Sequence, residues 1–138
     1  MSGEGEGRTV PAAGTIIRAA HYPGRAPIDA YGNGGFRFAD MSHRGSLLCL
    51  PSGIHGWDVA APSGIDATTL ERALAEAEGI EMLLLGTGLE LVPPDPALRA
   101  VFRERGVGID AMATGAAVRT FNVLLSEERA VAAALVAV

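Results

Sequence analysis

The chain has 138 residues, 49% of them apolar, and a formal net charge of −5, enough for one hydrophobic core and too little for two. The acidic balance argues against non-specific attraction to nucleic acid or anionic membranes, and since all 11 basic residues are Arg, Schiff-base and phosphate-loop lysine chemistries are excluded. A single cysteine, Cys49, rules out an internal disulfide and any multi-cysteine metal site.

Residues 1–14, rich in Gly, Glu and Ala, are expected to form a flexible tail ahead of one α/β domain over residues 15–138, because they bring almost no large apolar side chain to offset the entropy of ordering. Glu4 and Glu6 stand where an export signal would carry positive charge. The longest apolar run, Ala130 to Val138, is far short of the roughly 20 residues of a membrane-spanning helix, so a cytoplasmic protein that does not cross a membrane is expected. Apolar and polar positions then alternate around Asn33-Gly34, a turn dipeptide that predicts a hairpin pairing Ile28–Tyr31 with Phe36–Phe38. Ser46–Leu50 and Ile54–Val59 are predicted strands around Pro51-Ser52-Gly53, either one bent strand or two short ones.

From Asp66 the period changes to that of a helix. Leu70, Ala73, Leu74 and Ala77 share a face, Thr68 and Glu71 have capping-box spacing, and Gly79 supplies a stop. Ile80–Leu85 is a continuous apolar run after Glu81, as expected of a strand covered on both faces, and ends in Gly86-Thr87-Gly88. Asp95 and Pro96 open a second helix that should carry Leu98, Val101 and Phe102 inward and stop at Gly106. Val107–Met112 is a strand, a third helix starts near Thr114 with Ala117, Val118, Phe121, Leu124 and Leu125 packed inward, and Val131–Val138 is the last strand. The predicted fold is therefore α/β: a three-layer sandwich with a mixed sheet, its C-terminal half parallel, and an N-terminal antiparallel hairpin layer.

Ile28-Asp29-Ala30-Tyr31-Gly32, Phe36 with Phe38, Pro51-Ser52-Gly53, Leu85-Gly86-Thr87-Gly88 and Thr114 to Asn122, taken together in this order, resemble the Mth938-like domain-of-unknown-function family. The resemblance covers nearly the whole globular part. It implies a three-layer α/β sandwich but no agreed catalytic residues, and its mitochondrial member is an assembly factor for respiratory complex I.

The candidate site combines Gly86, Thr87 and Gly88 with Thr114, Gly115, Arg119 and Asn122. Parallel strands joined by helices bring their C-terminal ends to one sheet edge, where open α/β sheets bind ligands through backbone N–H groups. Thr114 would place a hydroxyl at the positive end of a helix, and Gly115, Arg119, Asn122 and Ser126 recur on one helical face, a seam suited to an anion. A structural turn and an ordinary solvated helix face explain the same residues. Ser52, His55 and Asp58 have the residue types of a hydrolase triad, but neighbours in an extended segment cannot converge without a sharp bend. His21, His43 and His55 lack paired metal-ligand spacing, Cys49 is expected to be a buried, unreactive thiol, and Trp57 is expected to cap the core.

The chain is read as a non-enzymatic accessory or assembly-type protein that binds a protein partner, with a small anion in the polar pocket, no cofactor and no nucleic acid. The alternative is a small enzyme or binding protein acting on an anionic metabolite, anchored by Arg119 and Asn122. The absence of a nucleophile–base pair in the sequence ranks it second.

Overall fold

The computed structural model describes residues 21–138; the expected tail over residues 1–14 lies outside them. Among the described residues, a six-stranded mixed sheet forms the middle of the molecule. Its strands are β1 (His21–Tyr22), β5 (Ser46–Leu50), β6 (Gly53–Trp57), β7 (Met82–Gly86), β8 (Gly108–Met112) and β9 (Val131–Leu135), in the spatial order β1-β6-β5-β9-β7-β8. A three-stranded antiparallel sheet consists of β2 (Ala30–Gly32), β3 (Gly35–Phe38) and β4 (Met41–Arg44). The principal helices are α1 (Glu71–Ala75), α2 (Pro96–Arg103) and α3 (Thr114–Ser126).

Alternation along the central strands feeds two cores. Leu48, Leu50, Leu83, Leu85, Ala132 and Ala134 point to one face and pack with α1 and α2; Leu47, Cys49, Leu84, Val131, Ala133 and Leu135 point to the other, against α3 and the small sheet. Covering on both faces is why these strands are apolar at every position rather than every second one. In β9 the run Ala132-Ala133-Ala134, fully buried, keeps the middle of the sheet thin enough for both layers to close on it. β9–β7 and β7–β8 are parallel, whereas β9–β5, β5–β6 and β6–β1 are antiparallel. The connection from β7 outward to β8 runs through α2, and the return from β8 to β9 runs through α3. Crossovers of one hand that travel in opposite directions must use opposite faces, and the two helices do lie in opposite cores.

Several elements differ from expectation for local reasons. The hairpin around Asn33 (φ 54°) and Gly34 (φ 80°) forms, but β2 begins at Ala30 because the backbone of Ile28 is bonded elsewhere. A third strand, β4, follows a tight turn at Ala39 (φ 48°) and Asp40 (φ 61°); two left-handed residues without glycine carry no clear turn signal in the sequence. The first helix is much shorter than its periodicity implies. Asp66 Oδ1 accepts from Thr69 N at 2.8 Å and Thr69 Oγ1 accepts from Asp66 N at 3.0 Å, the reciprocal pattern of a capping box set two residues ahead of the expected one, and the residues after it form turns before regular helix begins at Glu71. The Thr68–Glu71 capping box does not form, since Leu70 is the N-cap and no side chain caps it. Asp95 does cap α2, accepting from Ala97 N, and Leu98 and Phe102 are buried, but Val101 faces outward. Trp57 closes the first core, its indole N–H donating to Thr69 O at 2.8 Å.

Cys49 is buried in the centre of β5, and loss of solvation pushes its thiol pKa up to about 12. At a pH of about 8 only about one thiol in ten thousand would ionise in the native state. A thiol reagent should therefore label the native protein at the rate of unfolding and the denatured protein at once; labelling of the native state as fast as of the denatured state would contradict the buried placement.

Candidate functional site

The parallel strands β7 and β8 end side by side, and the chain leaves them toward opposite faces, the arrangement that opens a ligand crevice in many α/β sheets. Here that crevice is closed by hydrogen bonds between its two walls. Thr87 N donates to Met112 O at 2.9 Å and Thr114 N donates to Gly88 O at 2.8 Å, while on the other side of β7 Val136 N donates to Gly86 O at 2.9 Å and extends the pairing with β9. Gly88 N donates to Thr114 Oγ1 at 3.0 Å, and that hydroxyl donates to Val136 O at 2.7 Å. Thr114 is thus the first residue of α3 with Ala113 as N-cap, and its fully buried side chain joins the chain just beyond β7 to the chain just beyond β9. Gly86 permits the junction, because a Cβ there would lie 3.0 Å from Thr114 Cα.

The predicted seam along α3 divides. Gly115 leaves room for the Tyr31 ring of the small sheet to lie against it. Asn122 clasps the backbone of Ile28: its Oδ1 accepts from Ile28 N at 2.9 Å and its Nδ2 donates to Ile28 O at 2.8 Å. An amide side chain offers both roles in one plane, as a peptide group does, which a carboxylate or hydroxyl cannot match. Arg119 is exposed on α3, and Ser126 Oγ donates to Val123 O within the last turn. The structure therefore brings Gly86, Thr87, Gly88 and Thr114 together, and gives Gly115 and Asn122 to the seat of the N-terminal sheet.

Ser52 and His55 do meet, contrary to the expectation from an extended segment, because Pro51 and Ser52 form the turn between β5 and β6. Ser52 Oγ lies 2.9 Å from His55 Nε2, and the third group is Glu76 at the end of α1, not the exposed Asp58. Glu76 Oε2 accepts from Ser52 Oγ at 2.6 Å and its Oε1 accepts from Ser52 N at 2.8 Å. With the hydroxyl proton given to the carboxylate, His55 Nε2–H becomes the donor to Ser52 Oγ. A catalytic serine needs the reverse, with the imidazole accepting and the carboxylate behind it, and a carboxylate beside Oγ would repel an oxyanion. The trio clasps the turn to α1. His21 stacks on His55 with ring centroids 4.9 Å apart, although the two are distant in sequence. Burial, then Arg72 and His21, lower the His55 pKa against an opposing pull from Glu76. Among the described residues no cluster of His, Cys, Asp and Glu could hold a metal ion.

Beyond the closed crevice the chain displays apolar side chains. Thr87, itself buried, donates from Oγ1 to Glu90 O at 2.6 Å and accepts there from Val92 N at 2.9 Å. The loop is wrapped around this hydroxyl with Leu89 85%, Leu91 57% and Val92 42% exposed, and Pro93-Pro94 then lead stiffly into α2. The sequence passes over this feature because an apolar loop reads as core until its burial is known.

The model of a family described as a protein of unknown function (DUF498/DUF598) matches residues 28–136. An uncharacterized protein of Rhodobacter capsulatus is 38% identical, over 86% of this chain and 90% of its own length. NADH dehydrogenase (ubiquinone) 1 alpha subcomplex assembly factor 3 of Xenopus tropicalis is 32% identical over 79% of this chain and 60% of its own, so the chain spans somewhat under two thirds of that relative. A Bartonella henselae structure described as an outer membrane protein superposes with a TM-score of 0.82 at 60% identity, covering 85% of this chain and 98% of that one. A Bordetella pertussis protein described as a Mth938-like domain gives a TM-score of 0.72 at 28% identity, covering 80% and 85%. No helix among the described residues is long and apolar enough to cross a membrane.

Thr114→Val keeps the shape of the junction but strands the Gly88 N–H and the Val136 carbonyl in a buried place, and should cost about 2 to 4 kcal/mol in urea unfolding, with Thr114→Ser recovering most of it. Asn122→Asp, which keeps the acceptor but not the donor to Ile28, should cost about 1 to 3 kcal/mol. Wild-type stability in both Thr114→Val and Asn122→Asp would show that neither side chain carries the structure.

Proposed function

The chain belongs to the DUF498/DUF598 family, and from that membership and the geometry together we propose that it is a non-enzymatic, assembly-type accessory protein, acting in the cytoplasm by holding a protein partner. One observation carries this: Leu89, Leu91 and Val92 stand exposed on a loop that the buried Thr87 hydroxyl and two prolines hold in shape. Exposed leucines on a wandering loop would be a liability, whereas on an ordered one they are a contact surface whose ordering cost has been met in folding. The complex I assembly factors among its relatives are named for work on a protein assembly, which agrees with a role in binding rather than chemistry. The donors expected to hold an anionic metabolite weigh the same way, since the amides of Thr87, Gly88 and Thr114 and the Asn122 side chain have partners inside the fold.

The test is a photo-crosslinking residue at position 91 or, as control, at position 127, in the native cell, combined with Leu89→Ser. Crosslinking from 91 should yield a discrete protein adduct that falls at least about tenfold with Leu89→Ser, as loss of one contact of about 1.4 kcal/mol gives, and position 127 should not yield it. Because Leu89 is exposed, its replacement should shift stability by no more than about 0.5 kcal/mol. Equal adducts from 91 and 127, or no adduct from 91, would contradict the proposal.

A further inference from the structure

Next to the exposed loop lies a groove of about 590 Å³, between the 62–67 segment and the start of α2. Its walls include Pro62, Ile65, Pro93, Leu98 and the outward-facing Val101, and they carry two carboxylates, Asp66 and Asp95, with no basic side chain. Both carboxylates are fixed in place, because Oδ1 of each accepts a backbone N–H, from Thr69 and from Ala97. Val92 belongs to the groove wall and to the exposed loop alike, so the two form one continuous apolar surface with acid at its margin. An apolar centre with a charged rim is the anatomy of a protein interface, and the rim selects partners by sign. We propose that the groove takes a segment of the partner chain whose apolar side chains are flanked by Arg or Lys.

A second copy of this chain fits less well, since it would bring the same acidic surface and a net charge of −5 against its like. A small apolar ligand would leave Leu89 and Leu91 uncovered. The inference rests on the partner-binding function proposed above and adds where the segment lies and what it is made of.

Panning a displayed library of random short peptides against the full chain tests it, with the recovered peptides titrated into isotope-labelled protein. Peptides combining Leu, Ile, Phe or Pro with Arg or Lys should be enriched, and their binding should shift the amides of Ile65, Ala67, Ala97 and Val101. Val101→Arg, which adds bulk and like charge, should weaken them at least about tenfold. Asp66→Asn with Asp95→Asn, which keeps both backbone caps, should weaken them about three- to tenfold, more at low salt. Acid-rich peptides, no enriched peptide, binding indifferent to both variants, or groove shifts that appear with protein concentration alone as a second copy fills the site would each overturn the inference. If the adduct from position 91 persists in that event, partner binding stands and only the groove chemistry falls.

Discussion

The hydroxyl of Thr114 is the interaction on which the rest of the structure depends. It takes the N–H of Gly88 and gives its own proton to Val136, so the ends of β7 and β9 and the start of α3 meet at one buried atom. An α/β sheet normally leaves a crevice where adjacent strands send their helices to opposite faces, and amide donors there are free for a phosphate or carboxylate. In this chain those donors are used in holding the two walls together. The glycine that a sequence reader would assign to ligand approach, Gly86, instead allows α3 to sit against the sheet.

Closing the crevice moves what the protein can offer to the far side of the same turn. Thr87 looks into the loop after β7 and orders it through Glu90 and Val92; the result is a stiff, apolar projection beside an acidic-edged groove. The most active-looking trio, Ser52 with His55 and Glu76, has its proton arranged for holding a turn rather than for attack.

Much of the architecture was legible in the sequence. Asn33-Gly34 marks its hairpin, Asp95-Pro96 and Gly106 bracket α2, and unbroken apolar runs at 46–50 and 82–85 announce strands covered on both sides. The resemblance to Mth938-like proteins points to the same fold. What stayed hidden depends on partners far along the chain. Asn122 binds a backbone 94 residues away and Glu76 reaches a turn 24 residues away; periodicity records neither. Local detail hid the rest: the reciprocal Asp66–Thr69 pair stands two residues ahead of the expected Thr68–Glu71 box, and regular helix begins only at Glu71 although the apolar spacing was intact. The polar seam on α3 was visible, yet a residue type that suits a ligand suits a backbone equally well, and only the fold decides which it meets.

Native-state hydrogen exchange at the amides of Gly88 and Thr114 tests most directly whether the crevice is closed. Both donate inside the junction, so in the free protein they should exchange only through global unfolding, with protection matching that of the central strand β9. Exchange at either amide through local opening, orders of magnitude faster than in β9, would mean that the crevice opens in solution and that its donors are available to a ligand after all.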